Sequence, residues 1–208
     1  LGHPEETSLR ALHEKKGGPL RYLESHQQML GYLTEGYGAY AMVRDPRSRA
    51  VSAFLDKIWP AVSTELQPNF RGQHRHLQDA RRAAAFIVEQ LSPPVDNHSQ
   101  MESAFEFFLI WMLNQQAAGE PLNEHWKPQT EILFPDLDVY WHIARFEEMP
   151  NSGLNLAGEM GLLSDFLSNR KLRAHKTQAN LLADDLLKGE SGAIVETLYS
   201  EDLALLGY

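Results

Sequence analysis

The stretch Val43-Arg44-Asp45-Pro46-Arg47-Ser48-Arg49-Ala50-Val51-Ser52 carries the densest set of groups able to grip an anion. A strand that ends at a helix N-terminus presents free backbone N–H groups and the positive end of the helix dipole. Arg44, at the strand's edge, can fork onto a phosphate through two charge-assisted hydrogen bonds. Ser52 falls in the second helical turn, where its hydroxyl could reach the same phosphate. Asp45 is suited to cap the helix and Pro46 to occupy its first position, where proline's missing N–H is not needed. The same residues also suit a plain capped helix whose Arg44 and Arg49 sit in surface ion pairs.

The elements that must position this turn are mostly helical. Apolar residues at Leu20, Leu23, Leu30 and Leu33 predict a helix over 19–33, broken by Gly36 and Gly38. Ala39-Tyr40-Ala41-Met42-Val43 reads as a short buried strand between glycine and Asp-Pro. The helix that follows buries Val51, Phe54, Leu55 and Ile58 at i, i+3, i+4, i+7 and is expected to stop at Pro60. A polar loop over 61–76 precedes a helix over 77–91, and Ser-Pro-Pro-Val-Asp-Asn is a break. Ser99 can cap a helix reaching about residue 116, and a second strand is expected over 138–146. Further helices are predicted over 154–167, 180–187 and 193–206. Two strands are too few for an independent sheet.

Composition narrows the function. The chain has 208 residues, enough for one domain with a sizeable core. A net charge of −9 argues against a nucleic-acid or heparin-binding surface, while leaving room for a small anion held by local donors. Cysteine is absent, which excludes disulfides and thiolate chemistry and fits a reducing compartment. None of the nine histidines forms a recognised metal-ligand spacing, so no metal is expected. His74 and His76 read as solvated loop residues. Neither a signal peptide nor a membrane-spanning run is visible, so a cytoplasmic location is expected.

The 43–52 stretch resembles the 3′-phosphate-binding motif of sulfotransferases, in which a serine stands eight residues after the arginine of Arg-Asp-Pro. Its Arg-Asp-Pro-x-x-Arg-x-x-Ser form, followed by Phe54 and Asp56-Lys57, is most similar to the carbohydrate sulfotransferases, the chondroitin and dermatan enzymes and the uronosyl 2-O-sulfotransferases among them. Other stretches agree in order: Phe105-Glu106-Phe107-Phe108, then Asn123-Glu124-His125-Trp126-Lys127-Pro128-Gln129. Tyr140-Trp141-His142-Ile143-Ala144-Arg145-Phe146-Glu147 follows, and Leu198-Tyr199, Asp202-Leu203 and Gly207-Tyr208 close the chain. The resemblance implies one domain over 1–208 with a helix-rich α/β fold, a parallel sheet wrapped by helices and related to P-loop nucleotide kinases. It implies 3′-phosphoadenylyl sulfate as donor and adenosine 3′,5′-bisphosphate as product. Arg44 and Ser52 would bind the 3′-phosphate. The basic run 170–177 resembles a loop that closes over the donor, with Arg173 and Lys176 as its donor-binding residues.

The family also carries a glycine-rich loop, Pro-Lys-x-Gly-x-[Thr/Ser]-[Thr/Ser], that cradles the donor's 5′-phosphosulfate. Glu14-Lys15-Lys16-Gly17-Gly18-Pro19 is the nearest stretch; it lacks the hydroxyls and follows no strand. The first strand and this loop are therefore expected to be missing. That leaves two readings, an incompletely represented enzyme or a non-catalytic relative serving as a nucleotide-binding or helical interaction module. For the base that deprotonates the acceptor hydroxyl, His125 and His26 both qualify, with Glu124 next. Trp126 could brace a sugar face. The acidic balance favours a neutral glycan or small alcohol over a heavily sulfated polymer. The oligomeric state is not encoded legibly.

Overall fold

The computed structural model describes residues 26–63, 78–91, 98–133, 135–149 and 179–208, with isolated positions 95, 151, 155 and 158. The predicted loop over 61–76, the predicted helix over 154–167 and the basic run 170–177 fall wholly or almost wholly outside them. The described part is rich in helix around a small parallel sheet. Helix α1 (His26–Thr34) leads through a glycine at positive φ, Gly36, into β1 (Ala39–Val43). β1 pairs in parallel with β2 (Tyr140–Arg145). A register irregularity after Ala39, which pairs with Tyr140 while Tyr40 pairs with His142, leaves Trp141 over. Its ring lies against Gly38, where a Cβ would come within 2.6 Å of it, so glycine is the residue that fits there.

The register puts Val43 opposite Arg145, so both strands end together. The Arg44-Asp45 turn and the Phe146-Glu147 turn therefore leave the sheet side by side, at the carboxyl edge where parallel sheets place their sites. After β1 comes α2 (Pro46–Ala53), capped as expected: the Asp45 side chain accepts from the Arg47 N–H at 3.1 Å. The chain then departs from the expected stop at Pro60. Phe54–Ile58 forms a π-helical turn, and α3 (Trp59–Val62) continues with Pro60 in its first turn.

Helices α4 (Gln78–Gln90) and α5 (His98–Ala117) pack on each other and on α3. Helices α6 (Ala179–Leu186) and α7 (Glu190–Leu198) pack on α2 and α5, and α8 (Ser200–Leu206) closes the described chain. The single helix expected over 193–206 is thus two, broken at Tyr199, which leaves helical geometry at φ −115°, ψ 23°. The apolar stripe of α2 and its π-turn meets α5 in an aromatic core: Phe54 lies 5.2 Å from Phe105 and 5.9 Å from Phe108, ring centre to ring centre. Phe108 in turn meets Trp126 edge-on at 5.8 Å. Burial of such rings is the largest apolar contribution per residue, and here it fixes α2 and the 123–133 segment to one body.

Candidate active site

Four stretches far apart in sequence converge on the turn after β1. The Gln129 side chain, buried, accepts from the Arg44 N–H at 2.8 Å and donates from Nε2 to the Arg44 carbonyl at 2.7 Å. One amide thus satisfies both main-chain groups of the residue at the strand's end, as a further strand would. Gln129 is itself held. Asp202, fully buried on α8, accepts from the Gln129 N–H and the Thr130 N–H, each at 2.8 Å, and from the Thr130 hydroxyl at 2.9 Å. On the other side Glu147 accepts the Asp45 N–H at 2.8 Å and, through its second oxygen, the Tyr208 hydroxyl at 3.0 Å. Arg145 donates to the Leu206 carbonyl at 2.7 Å and lies 4.6 Å over the Tyr208 ring, tying the end of α8 to the same turn.

So anchored, Arg44 extends its side chain along α2. Its guanidinium stacks 5.0 Å above the Phe146 ring, and its Nε donates to the Ser48 hydroxyl at 3.2 Å. Ser48 donates onward to the Asp45 carbonyl at 3.1 Å. Ser52 follows Ser48 by one helical turn and shares its face, so Arg44, Ser48 and Ser52 line one edge of α2. Arg44's terminal nitrogens and the Ser52 hydroxyl have no hydrogen-bond partner among the described residues. Burial pushes the guanidinium's pKa down while Glu147 and Asp45 push it back, and an arginine remains charged under both. A fork placed by its backbone, half-buried and without partners for its outer donors among the described residues, has donors to offer an anion.

The helix N-terminus itself is less open than the sequence suggests. Asp45 already occupies the Arg47 N–H, and Pro46 has none to give. A cleft of about 430 Å³ beside it is lined by Asp45, Arg47 and Ser48 and, from α6, α7 and the link between them, by Asp184, Glu196 and Leu187. Three carboxylates against one guanidinium do not suit an anion there.

Among the described residues Arg49 forms no surface ion pair. Its guanidinium donates to the Lys127 carbonyl at 2.5 Å and to the Glu124 carbonyl at 2.6 Å, gripping the turn that presents His125. The His125 N–H donates to the Asn123 side chain at 3.1 Å, and Asn123 reaches Asp79 of α4 at 3.3 Å. The His125 ring is open to solvent. The protein mass behind it still pushes its pKa below the ordinary histidine value, Lys57 adds to that, and Glu124 opposes it. Trp126 corrects an expectation. It is fully buried against Phe108 and Trp111, and its carbonyl accepts the Tyr199 hydroxyl at 2.5 Å, so it cannot stack on a sugar.

The structure thus gathers Arg44 and Ser52 on one helix edge and joins His125 to that helix through Arg49. His26 opens α1, and its side chain lies outside the described residues, as do Arg173 and Lys176. Sequence reasoning missed Ser48, Gln129, Glu147 and Asp202 as site-building residues. The i, i+4 spacing from Arg44 through Ser48 to Ser52 was a usable signal for the first. Among the described residues no group of three or more His, Asp or Glu is arranged to hold a metal, and no helix is long and apolar enough to cross a membrane.

A family model described as the sulfotransferase family matches residues 3–208. No curated protein and no solved structure matches the chain. With nearly the whole chain matched, and with the Arg-Asp-Pro turn, the His-Trp-Lys-Pro-Gln segment and the closing Tyr-Asp-Tyr residues folded against each other, the chain belongs to the sulfotransferase family, whose chemistry is sulfuryl transfer.

The Gln129 clamp makes a testable demand on pH. Gln129→Glu keeps an acceptor for the Arg44 N–H but loses the donor to its carbonyl, and it sets a second carboxyl against Asp202, whose Oδ2 lies 3.5 Å from Nε2. Two carboxyl groups sharing a site raise one pKa, and the folded state then binds a proton that the unfolded state does not. The variant is expected to be less stable than wild type at pH 7 by about 2–4 kcal/mol, with the deficit shrinking as pH falls toward 5. Thermal unfolding of both proteins across that range checks it; a deficit independent of pH would contradict the clamp geometry.

Proposed function

We propose that the chain transfers a sulfuryl group from 3′-phosphoadenylyl sulfate to the hydroxyl of a neutral glycan or small alcohol, within one α/β domain related to the P-loop kinases. The observation that carries this reading is the Arg44 fork, held from behind by Gln129 and lacking partners for its outer donors among the described residues. Arg44 and Ser52 bind the donor's 3′-phosphate, Ser48 orients Arg44, and Arg173 and Lys176 close over the donor from the 170–177 run. The donor supplies an activated sulfuryl group whose leaving group is adenosine 3′,5′-bisphosphate. His125 accepts the acceptor's proton as the hydroxyl oxygen bonds to sulfur and the bond from sulfur to the phosphate oxygen breaks. A depressed pKa suits that task, since the imidazole must be neutral to act as a base. His26 is the competing base, because the uronosyl enzymes that the chain resembles carry a histidine near that place.

A second reading is favoured by one observation. No Lys-x-Gly-x-Thr/Ser run occurs in the sequence, and a relative without that loop would bind the nucleotide and catalyse nothing. Both readings share the 3′-phosphate site; turnover separates them.

Adenosine 3′,5′-bisphosphate is expected to raise the melting temperature well above the rise given by 5′-AMP. Arg44→Ala is expected to remove most of that difference, a charge-assisted contact being worth about 1.5–3 kcal/mol. Equal shifts with the two nucleotides would refute the phosphate site.

Turnover should follow the base. His125→Ala is expected to lower the rate by about 10²–10⁴ with bisphosphate affinity nearly unchanged. Because the His125 pKa is depressed, the wild-type rate should hold as pH falls through 6.5, the ordinary histidine value, and drop only below it. If His26→Ala loses turnover and His125→Ala keeps it, the base is on α1.

A further inference from the structure

The two arginines of Arg-Asp-Pro-x-x-Arg are built for different tasks. The outer donors of Arg44 have no partner among the described residues, whereas Arg49 commits both terminal nitrogens to protein carbonyls. Those carbonyls, of Glu124 and Lys127, bracket His125. Inside the bracket the turn closes on itself, with Asn123 O accepting from the Trp126 and Lys127 N–H groups at 3.0 and 2.8 Å. The intervening Trp126 carbonyl is taken by Tyr199, so the 124, 126 and 127 carbonyls all have donors, two of them from Arg49. A turn has few internal bonds to hold its place, and a fork spanning four residues of it sets both position and rotation. Arg49 leaves α2 between Ser48 and Ser52, on the helix that carries the phosphate face.

We propose that Arg49 is a positioning residue: it locks the turn that presents His125 onto the helix that carries Arg44, Ser48 and Ser52, and it does not contact the donor's phosphate. The proposal rests on the reading of His125 as the base for its catalytic consequence, but not for its structural one. The distance from base to donor is then set by one helix and one guanidinium instead of by the loop's own stability. Displacement of a catalytic group by about 1 Å can cost about 10² in rate, which is the loss expected when the strut is cut.

Arg49→Met removes both bonds, and Arg49→Lys keeps the charge and one bond while losing the fork. In both variants adenosine 3′,5′-bisphosphate should bind within about threefold of wild type, unlike Arg44→Ala. Turnover should fall about 10²-fold in Arg49→Met at little change in donor KM, with part of it recovered in Arg49→Lys. Hydrogen exchange, read without any turnover, should accelerate at the amides of His125, Trp126 and Lys127 in both variants while those of α2 stay protected. Loss of bisphosphate affinity comparable to that of Arg44→Ala would overturn the proposal, since Arg49 would then be a phosphate ligand. Unchanged exchange at 125–127 would overturn it, and so would equal acceleration across α2 and α5, which would mark a general loss of stability. Should Arg49→Met not fold, Arg49→Lys carries the same readouts. If His125→Ala keeps near-normal turnover while exchange at 125–127 accelerates as stated, the base assignment fails and the Arg49 strut stands.

Discussion

A buried carboxylate on the last helix sets the geometry of the site. Asp202 has no access to solvent, and it accepts three hydrogen bonds from Gln129 and Thr130. Leaving such a group without donors would be expensive, so the chain around Gln129 must come to α8. That in turn aims the Gln129 amide at Arg44, whose two main-chain groups it satisfies. Burial lowers the pKa of Arg49 on α2, and the nearness of Asp202 and Tyr199 opposes that shift. Remove the carboxylate, and three donors, the Arg44 backbone and the Arg49 grip lose their common reference.

Around this centre the division of labour follows chemistry. Aromatic packing among Phe54, Phe105, Phe108 and Trp126 holds α2, α5 and the 123–133 segment together. Hydrogen bonds then choose the orientation within that body, because each buried donor or acceptor has few partners that satisfy it. The parallel register places Phe146 under the Arg44 guanidinium and Glu147 at the Asp45 N–H, so the second strand's end completes the first strand's turn. Among the described residues, the outer half of Arg44 and the Ser52 hydroxyl have no hydrogen-bond partner. On the proposed reading, that is where the donor's phosphate binds.

The local features of this arrangement were legible in the sequence and the long-range ones were not. Asp45 as cap, Pro46 at the helix start and Arg44 with Ser52 on one helix follow from short spacings whose physics is local. The Gln129 clamp joins residues 85 apart, and its tie to Asp202 joins residues 73 apart, so no periodicity announces either. Their types were quoted within motifs, yet a motif does not say what touches what. Trp126 shows the same limit from the other side: beside a candidate base it reads as a sugar platform, but the core formed by α5 claims it. The run on through Pro60 needed a π-turn, which hydrophobic spacing cannot distinguish from an α-helix over one turn. The break at Tyr199 came from its own anchoring to the Trp126 carbonyl.

On the proposed reading, Gln129 serves the anion site only by placing Arg44. A double-mutant cycle on bisphosphate affinity, using Arg44→Ala, Gln129→Ala and the pair, tests it most directly. With all four proteins shown to be folded, Gln129→Ala alone should weaken binding, and it should add nothing once Arg44 has been removed. Losses that sum across the two sites would contradict the account, since Gln129 would then act on the nucleotide by a route that does not pass through Arg44.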